Sequence, residues 1–127
     1  MLDKYFEHYN EICDDIKSMI NELKYKKEEL YNLSGIDYSD IKTSKNVPVG
    51  LDFYIDAITE LEDKIQDKIK EKKIIYDDNL QLIEQLEHKD EKDIIRLFFL
   101  ERLSNSQIST IMYISERHLR RKKKNAI

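Results

Sequence analysis

The residues of this chain with the clearest chemical potential are the basic side chains near its C-terminal end. All five arginines follow residue 95, and residues 96–127 carry eight Lys and Arg against two Asp and Glu. The first 95 residues carry 14 Lys and Arg against 24 Asp and Glu, so a formal charge of −10 precedes one of +6. A basic segment at the end of an acidic chain favours contact with nucleic-acid phosphates and base edges. A solvated basic tail has the same composition, so the spacing of the residues must distinguish the two interpretations.

The spacing within residues 103–119 predicts a helix, a tight turn and a second helix. Ser104 followed by Gln107 has the pattern of a capping box, which marks a helix start. Ser109 is small, as is needed where two helices approach closely, and Ser115 is placed to cap the second helix. The side chains expected to face inward are Ile108, Ile111, Met112, Ile114 and Leu119.

Apart from Leu119, the second helix is polar or basic up to Asn125, so it can present a cationic face. Arginine pairs bidentately with guanine, and the N-terminal end of a helix offers N–H groups to a phosphate. The candidate base-contacting residues are Glu116, Arg117, His118, Arg120 and Arg121. The candidate phosphate contacts are Arg102, Lys122, Lys123 and Lys124.

A short apolar helix is expected ahead of this motif, opened by Asp90. Residues 94–100 are almost continuously apolar, and a helix that is apolar on most sides must be buried in a small globular unit. We therefore expect a compact module over residues 89–127, preceded by a separate segment over residues 1–88.

The ordered motif resembles region 4 of bacterial sigma factors over about residues 90–125. The features that carry the resemblance are Leu103-Ser104, Gln107-Ile108 followed by a small residue, Ile114-Ser115, and Leu119 among arginines. Gln107 stands where that family prefers Glu, Ser109 where it prefers Ala, and Tyr113 where it prefers Gly. A turn with positive φ would cost Tyr113 about 1 kcal/mol or more, so either the turn is of another type or the stability is reduced there.

The layout is also similar to phage and prophage regulators of the ArpU and RinA type, which join an N-terminal helical segment to a sigma-like helix-turn-helix. The resemblance implies a transcriptional regulator that binds double-stranded DNA in the bacterial cytoplasm.

Two alternatives remain open, namely a DNA-packaging protein of the small-terminase type and an adaptor that contacts RNA polymerase. A ring-shaped oligomer would favour packaging, whereas a dimer would favour the regulator. A plain structural coiled coil would explain residues 1–88 but not the later motif.

Residues 1–88 predict an antiparallel hairpin of two long helices joined by a loop at residues 35–50. The first helix has a seven-residue repeat and ends near Gly35, and the second begins near Asp52, with a candidate break at Asp77-Asp78. Its narrow apolar stripes favour coiled-coil packing and self-association, with a dimer preferred. The stripe of the first helix contains Leu2, Tyr5, Phe6, Tyr9, Ile12, Cys13, Ile16, Met19, Ile20, Leu23, Leu30 and Leu33. The stripe of the second contains Leu51, Ile55, Ile58, Leu61, Ile65, Ile69, Tyr76, Leu80 and Ile83.

Composition narrows the remaining possibilities. With two Gly, one Pro and 38% charged residues, the chain favours an all-α fold over a turn-rich sandwich or barrel. It has neither an apolar run long enough to span a membrane nor a signal peptide, so a cytoplasmic location is expected. The single cysteine, Cys13, excludes a disulfide within the chain and is expected to be buried. Because glycine-rich phosphate loops, metal-ligand spacing and nucleophilic triads are lacking, we expect no cofactor, no metal and no enzymatic activity.

Overall fold

The computed structural model describes residues 2–43 and 50–126, and no strand occurs among them. The all-α fold predicted from composition is confirmed. Within these residues, no helix combines the length and apolarity that a membrane span requires. The helices are α1 (Leu2–Ser34), α2 (Tyr38–Thr43), α3 (Asp52–Glu84), α4 (Lys89–Ile95), α5 (Asn105–Met112) and α6 (Glu116–Ala126), with a π-helical segment (Arg96–Leu100) that continues α4.

Most helix ends agree with the sequence. Gly35 follows α1 with φ of +70°, a left-handed conformation that suits glycine at the end of a helix. The helix α3 begins at Asp52 as predicted, but it continues through Asp77 and Asp78, so the candidate break does not occur. The helix α4 begins after His88 rather than at Asp90. The structure does not describe the side chains of the stripe positions Leu2 and Tyr5, and residues 44–49 of the predicted loop lie outside the described residues.

The described helices form two compact units. The terminal unit contains the chain up to Cys13 and from Glu71 onward, and the middle unit is Asp14–Lys70. The predicted boundary at residue 88 therefore does not coincide with the boundary between the units. The start of α1 and the end of α3 belong with the helices that follow residue 88, because they share a core with them.

Aromatic packing holds the first core of the terminal unit together. The rings of Phe6 and Phe99 stack with centroids 4.6 Å apart, and Tyr9 lies 6.0 Å from Tyr76. Burial raises the pKa of the Tyr9 hydroxyl well above its ordinary value, and the neighbouring Cys13 adds to this. Cys13 is itself half-buried against this core. The buried members are Phe6, Tyr9, Ile83, Ile95, Phe99 and Leu100.

In the middle unit, α2 occupies part of the predicted loop at residues 35–50 and contributes a buried tyrosine. The Tyr38 hydroxyl donates to Glu62 Oε1 at 2.8 Å and lies 3.0 Å from Thr59 Oγ1. Lys27 approaches the same place, with its Nζ 3.8 Å from Glu62 Oε2 and 5.2 Å from the Tyr38 ring centroid. Tyr38 thus joins α2 to α3 beside a core that it shares with Leu30 and Ile58.

Part of the predicted apolar stripes is exposed. Tyr9, Ile12, Ile16 and other stripe positions are buried, but Ile20, Leu33 and Ile69 are exposed. Within one chain, these three stripe positions are therefore left uncovered, as expected for stripes that self-association would cover. Packing within one chain covers only part of each stripe, so these positions remain in solvent.

Candidate nucleic-acid interface

The last three helices of the terminal unit pack around a second apolar core. Leu119 of α6 and Ile108 of α5 are fully buried, as the sequence predicts. Ile111 was expected to face inward as well, but it is 51% exposed. Because α5 has only eight residues and packs on one side, Ile108 and the half-buried Met112, one turn apart, take the inward positions. The other side chains at this core are Ile94, Leu97, Phe98, Leu103 and Ile114.

The predicted capping box at the start of α5 is present. The backbone N–H of Gln107 donates to Ser104 Oγ at 3.2 Å, and Gln107 Oε1 accepts from the backbone N–H of Ser104 at 2.9 Å. Two N–H groups that the helix itself leaves without a partner are satisfied in this way. The start of α5 is therefore fixed by local sequence.

The turn between α5 and α6 has the left-handed geometry that the sequence placed in question. Tyr113 has φ of 57° and ψ of 40°, and its side chain is 94% exposed. The Ser109 hydroxyl donates to the carbonyl of Ile114, and the backbone N–H of Ile114 donates to the carbonyl of Ser109 at 3.2 Å. Ser115 then caps α6, its Oγ accepting from the N–H of His118 at 3.1 Å. Sequence reasoning found Ser109 only as a small residue, whereas its hydroxyl holds the turn.

The first half of α6 presents its cations to solvent. Arg117 and Arg121 are exposed one helical turn apart, and Arg121 Nη2 donates to His118 Nδ1 at 2.7 Å. These three side chains and Ser115 line a concavity of about 290 Å³ at the start of the helix. Cations beside a helix N-terminus are suited to an anionic oxygen such as that of a phosphate.

Arg120 and Glu116 also lie in this half, where they form an ion pair of 3.5 Å. Arg102, predicted as a phosphate contact, is exposed ahead of α5 with φ of 56°. Lys124, near the end of α6, is exposed too. The structure therefore leaves most of the predicted contact residues on the surface of the module.

Lys122 and Lys123 have partners inside the module instead. Lys122 Nζ pairs with Asp90 Oδ2 of α4, and Lys123 Nζ lies 3.1 Å from Asn105 Oδ1 at the start of α5. Lys123 Nζ also lies 3.7 Å from the ring centroid of Phe98, within range of a cation–π interaction. The sequence held a signal for this, because these lysines are three and four residues after Leu119 and thus share its inward side.

Comparison of the chain with models of protein families, with curated protein sequences and with solved structures gives no match. Among the described residues, no three His, Cys, Asp or Glu side chains are grouped so that they could hold a metal ion. The chemistry of the module has to be inferred from its own geometry, which is that of a cationic helix braced by two others.

Proposed function

We propose that this protein is a sequence-specific, double-stranded-DNA-binding transcriptional regulator of the phage and prophage type, acting in the cytoplasm of a bacterial host. The observation that carries the proposal is that α6 has one side buried in the core and an opposite side that exposes arginines. Leu119 is fully buried, whereas Arg117 and Arg121, two residues before and after it, are exposed. A step of two residues turns a helix by about 200°, so both arginines lie on the side away from the core.

This arrangement suits insertion of α6 into the major groove. In a helix-turn-helix, one helix braces a second, whose first turns contact base edges. Arg117 and Arg121 occupy those turns, and arginine is the residue that most often contacts guanine there. The Ser115 cap and the Ser109 bond to Ile114 fix the angle between α5 and α6. The arginines would consequently reach the groove with little reorganisation.

Selection of bound duplexes from a random-sequence DNA library tests the proposal. We expect the full chain to enrich a common sequence motif, because exposed arginines on a braced helix discriminate between bases. The variant Arg117→Ala should enrich a degenerate motif, whereas Lys70→Ala, which removes an exposed cation from α3, should enrich the wild-type motif. Failure of the wild type to enrich any motif would contradict sequence-specific binding.

The alternative functions give different outcomes. An adaptor for RNA polymerase would bind the polymerase while failing the DNA selection. A packaging protein of the small-terminase type would enrich DNA but form a ring, which native mass spectrometry distinguishes from a dimer. The exposed, braced arginines favour DNA as the partner in both the regulator and the packaging interpretation, and the resemblance favours the regulator.

We further propose that the middle unit pairs with a second copy of the chain. Among the described residues of this unit, six large apolar side chains are exposed, which is unusual for a surface that meets only water. Two of them, Ile20 and Tyr31, line a groove on α1 together with Leu23 and Lys27. The exposed side chains are Ile20, Tyr25, Tyr31, Leu33, Phe53 and Ile69.

Sedimentation equilibrium of the full chain tests this pairing. Ile20→Asp should shift the chain toward monomer, because a carboxylate would be buried in the interface at a cost of several kcal/mol. Asn21→Asp adds the same charge at the next exposed position and should leave the mass unchanged. A monomeric wild type at all concentrations would contradict self-association without bearing on DNA binding.

A further inference from the structure

The turn between α5 and α6 contains a residue with left-handed backbone, Tyr113, but the turn does not require that this residue be a tyrosine. Its backbone has φ of 57° in the turn between α5 and α6, and its side chain is 94% exposed. Among the described residues other than glycine, positive φ occurs at Arg102 and Tyr113, which lie on either side of α5. The left-handed conformation crowds the Cβ of any residue except glycine.

Glycine would make the same turn with less strain. A side chain that remains almost wholly in solvent gains little from burial, so the phenol contributes little to the stability of the module. Residues held in strained conformations concentrate at functional sites, where the side chain has a task outside the core. The strain and the exposure of Tyr113 therefore favour a role for its side chain in contacting a binding partner.

The position of Tyr113 indicates what that contact is. It lies two residues before Ser115, whose hydroxyl caps α6, and hence at the end of α6 that carries Arg117 and Arg121. When the first turns of a helix contact base edges, the residues just before it lie at the rim of the groove, where the sugar–phosphate backbone runs. Tyrosine hydroxyls are among the donors that bind phosphate oxygens.

We propose that Tyr113 donates its phenolic hydroxyl to a DNA phosphate and so positions α6 in the major groove; this rests on the proposed DNA-binding function. Tyr113 is then a positioning residue, whereas Arg117 and Arg121 supply base contacts. Its contribution has a distinctive signature. A neutral hydroxyl releases no counterions when it binds a phosphate, so it adds affinity without adding to the salt dependence.

Fluorescence anisotropy of the full chain with a mixed-sequence DNA duplex of about three helical turns provides the test. Because the phosphate contact is independent of sequence, no cognate site is needed. Tyr113→Phe should raise Kd about tenfold, the effect of losing one hydrogen bond to a charged group. Tyr113→Gly should raise Kd by at least as much, with a melting temperature at or above that of the wild type. In both variants the slope of log K against log salt should equal that of the wild type.

Two matched variants separate this role from others. Tyr25→Phe removes the hydroxyl of a tyrosine in α1 that is 70% exposed, and it should leave Kd unchanged. Arg117→Ala removes a cation from the same end of α6, so on this mixed-sequence duplex it should lower the steepness of the salt dependence by about 0.9, and Tyr113→Phe should not.

Wild-type affinity in Tyr113→Phe would overturn the proposal, and so would a changed salt slope in that variant. A clear drop in the melting temperature of Tyr113→Gly would also overturn it, since the side chain would then be supporting the fold. If the wild type itself fails to bind the duplex, the proposed function fails and this inference falls with it. Intact wild-type binding with an unaffected Tyr113→Phe refutes only the inference.

Discussion

The two halves of α6 carry similar charge but use it differently. In the first half, Arg117 and Arg121 are exposed beside the capped start of the helix. In the second half, Lys122 and Lys123 are directed to Asp90, Asn105 and Phe98 within the same module. A count of basic residues would treat all four alike. The distance in sequence from Leu119 distinguishes them, because three or four residues return to the buried side of a helix and two residues lead away from it.

The difference between the two halves of α6 depends first on the apolar core that holds this helix in place. Leu119→Ala should lower the free energy of unfolding of the terminal unit by ~2–5 kcal/mol, because Leu119 is fully buried and its loss leaves a cavity. Thermal or urea denaturation followed by circular dichroism measures this. Ile111→Ala on α5 is the control, since a half-exposed side chain should cost far less. Equal losses for the two variants would mean that Leu119 is not part of the core.

Removing an arginine side chain from the first half of α6 should weaken DNA binding and leave the fold intact. Arg121→Ala should weaken binding to a selected DNA site by ~1–3 kcal/mol, because a bidentate base contact is lost. Its free energy of unfolding should stay within ~0.5 kcal/mol of the wild type, as is usual for exposed positions. Isothermal titration and denaturation of the same variant give both values. A loss of stability as large as the loss of affinity would place Arg121 among the structural residues.

Removing a lysine side chain from the second half of α6 should have the opposite effect, lowering stability more than it weakens DNA binding. Lys123→Ala should reduce stability by ~1 kcal/mol, since the contacts of Lys123 with Phe98 and Asn105 are lost. Lys122→Ala should cost ~1 kcal/mol or less, because its ion pair with Asp90 is partly exposed to solvent. Lys124→Ala, which removes an exposed cation from the same half, is the control. If the unfolding midpoints of the three variants do not differ, the distinction between the two halves of α6 is contradicted.

The smallest effect concerns pH and lies away from α6. Burial raises the pKa of Tyr38 above its ordinary value of 10.0, so the folded middle unit favours the protonated phenol. The stabilisation is fully present below pH 10.0 and is lost as pH rises from the unfolded pKa through the folded one. Tyr38→Phe should therefore flatten the alkaline decrease in unfolding free energy without changing DNA affinity at neutral pH. An alkaline profile identical to that of the wild type would contradict this assignment.

Local patterns were sufficient to predict much of the candidate site. The capping box at Ser104, the buried Leu119 and the Ser115 cap each depend on residues within four positions in the chain, so their spacing fixes the outcome. The cost expected for Tyr113 was also a local inference, and the structure shows that the turn keeps positive φ despite it.

Features that depend on distant contacts were missed. Tyr38 is buried because Thr59 and Glu62 satisfy its hydroxyl from more than 20 residues away, and nothing near Tyr38 indicates this. The stacking of Phe6 on Phe99 likewise joins the start of α1 to the π-helical segment, and it accounts for the difference between the predicted boundary at residue 88 and the observed units. The period of the helix indicates that Lys122 and Lys123 share the inward side of Leu119, but their partners lie on other segments of the chain and are not indicated by it.

The most direct test of the account compares Arg117→Ala with Lys123→Ala in binding titrations. Each variant is titrated with the selected DNA site and with a scrambled duplex, at several salt concentrations and below its melting temperature. We predict that Arg117→Ala loses ~1–3 kcal/mol on the selected site and much of the preference over the scrambled duplex. Lys123→Ala should keep that preference, because its side chain acts inside the module. Equal losses on both duplexes for both variants, with the same salt slope, would contradict the claim that the exposed half of α6 recognises DNA sequence.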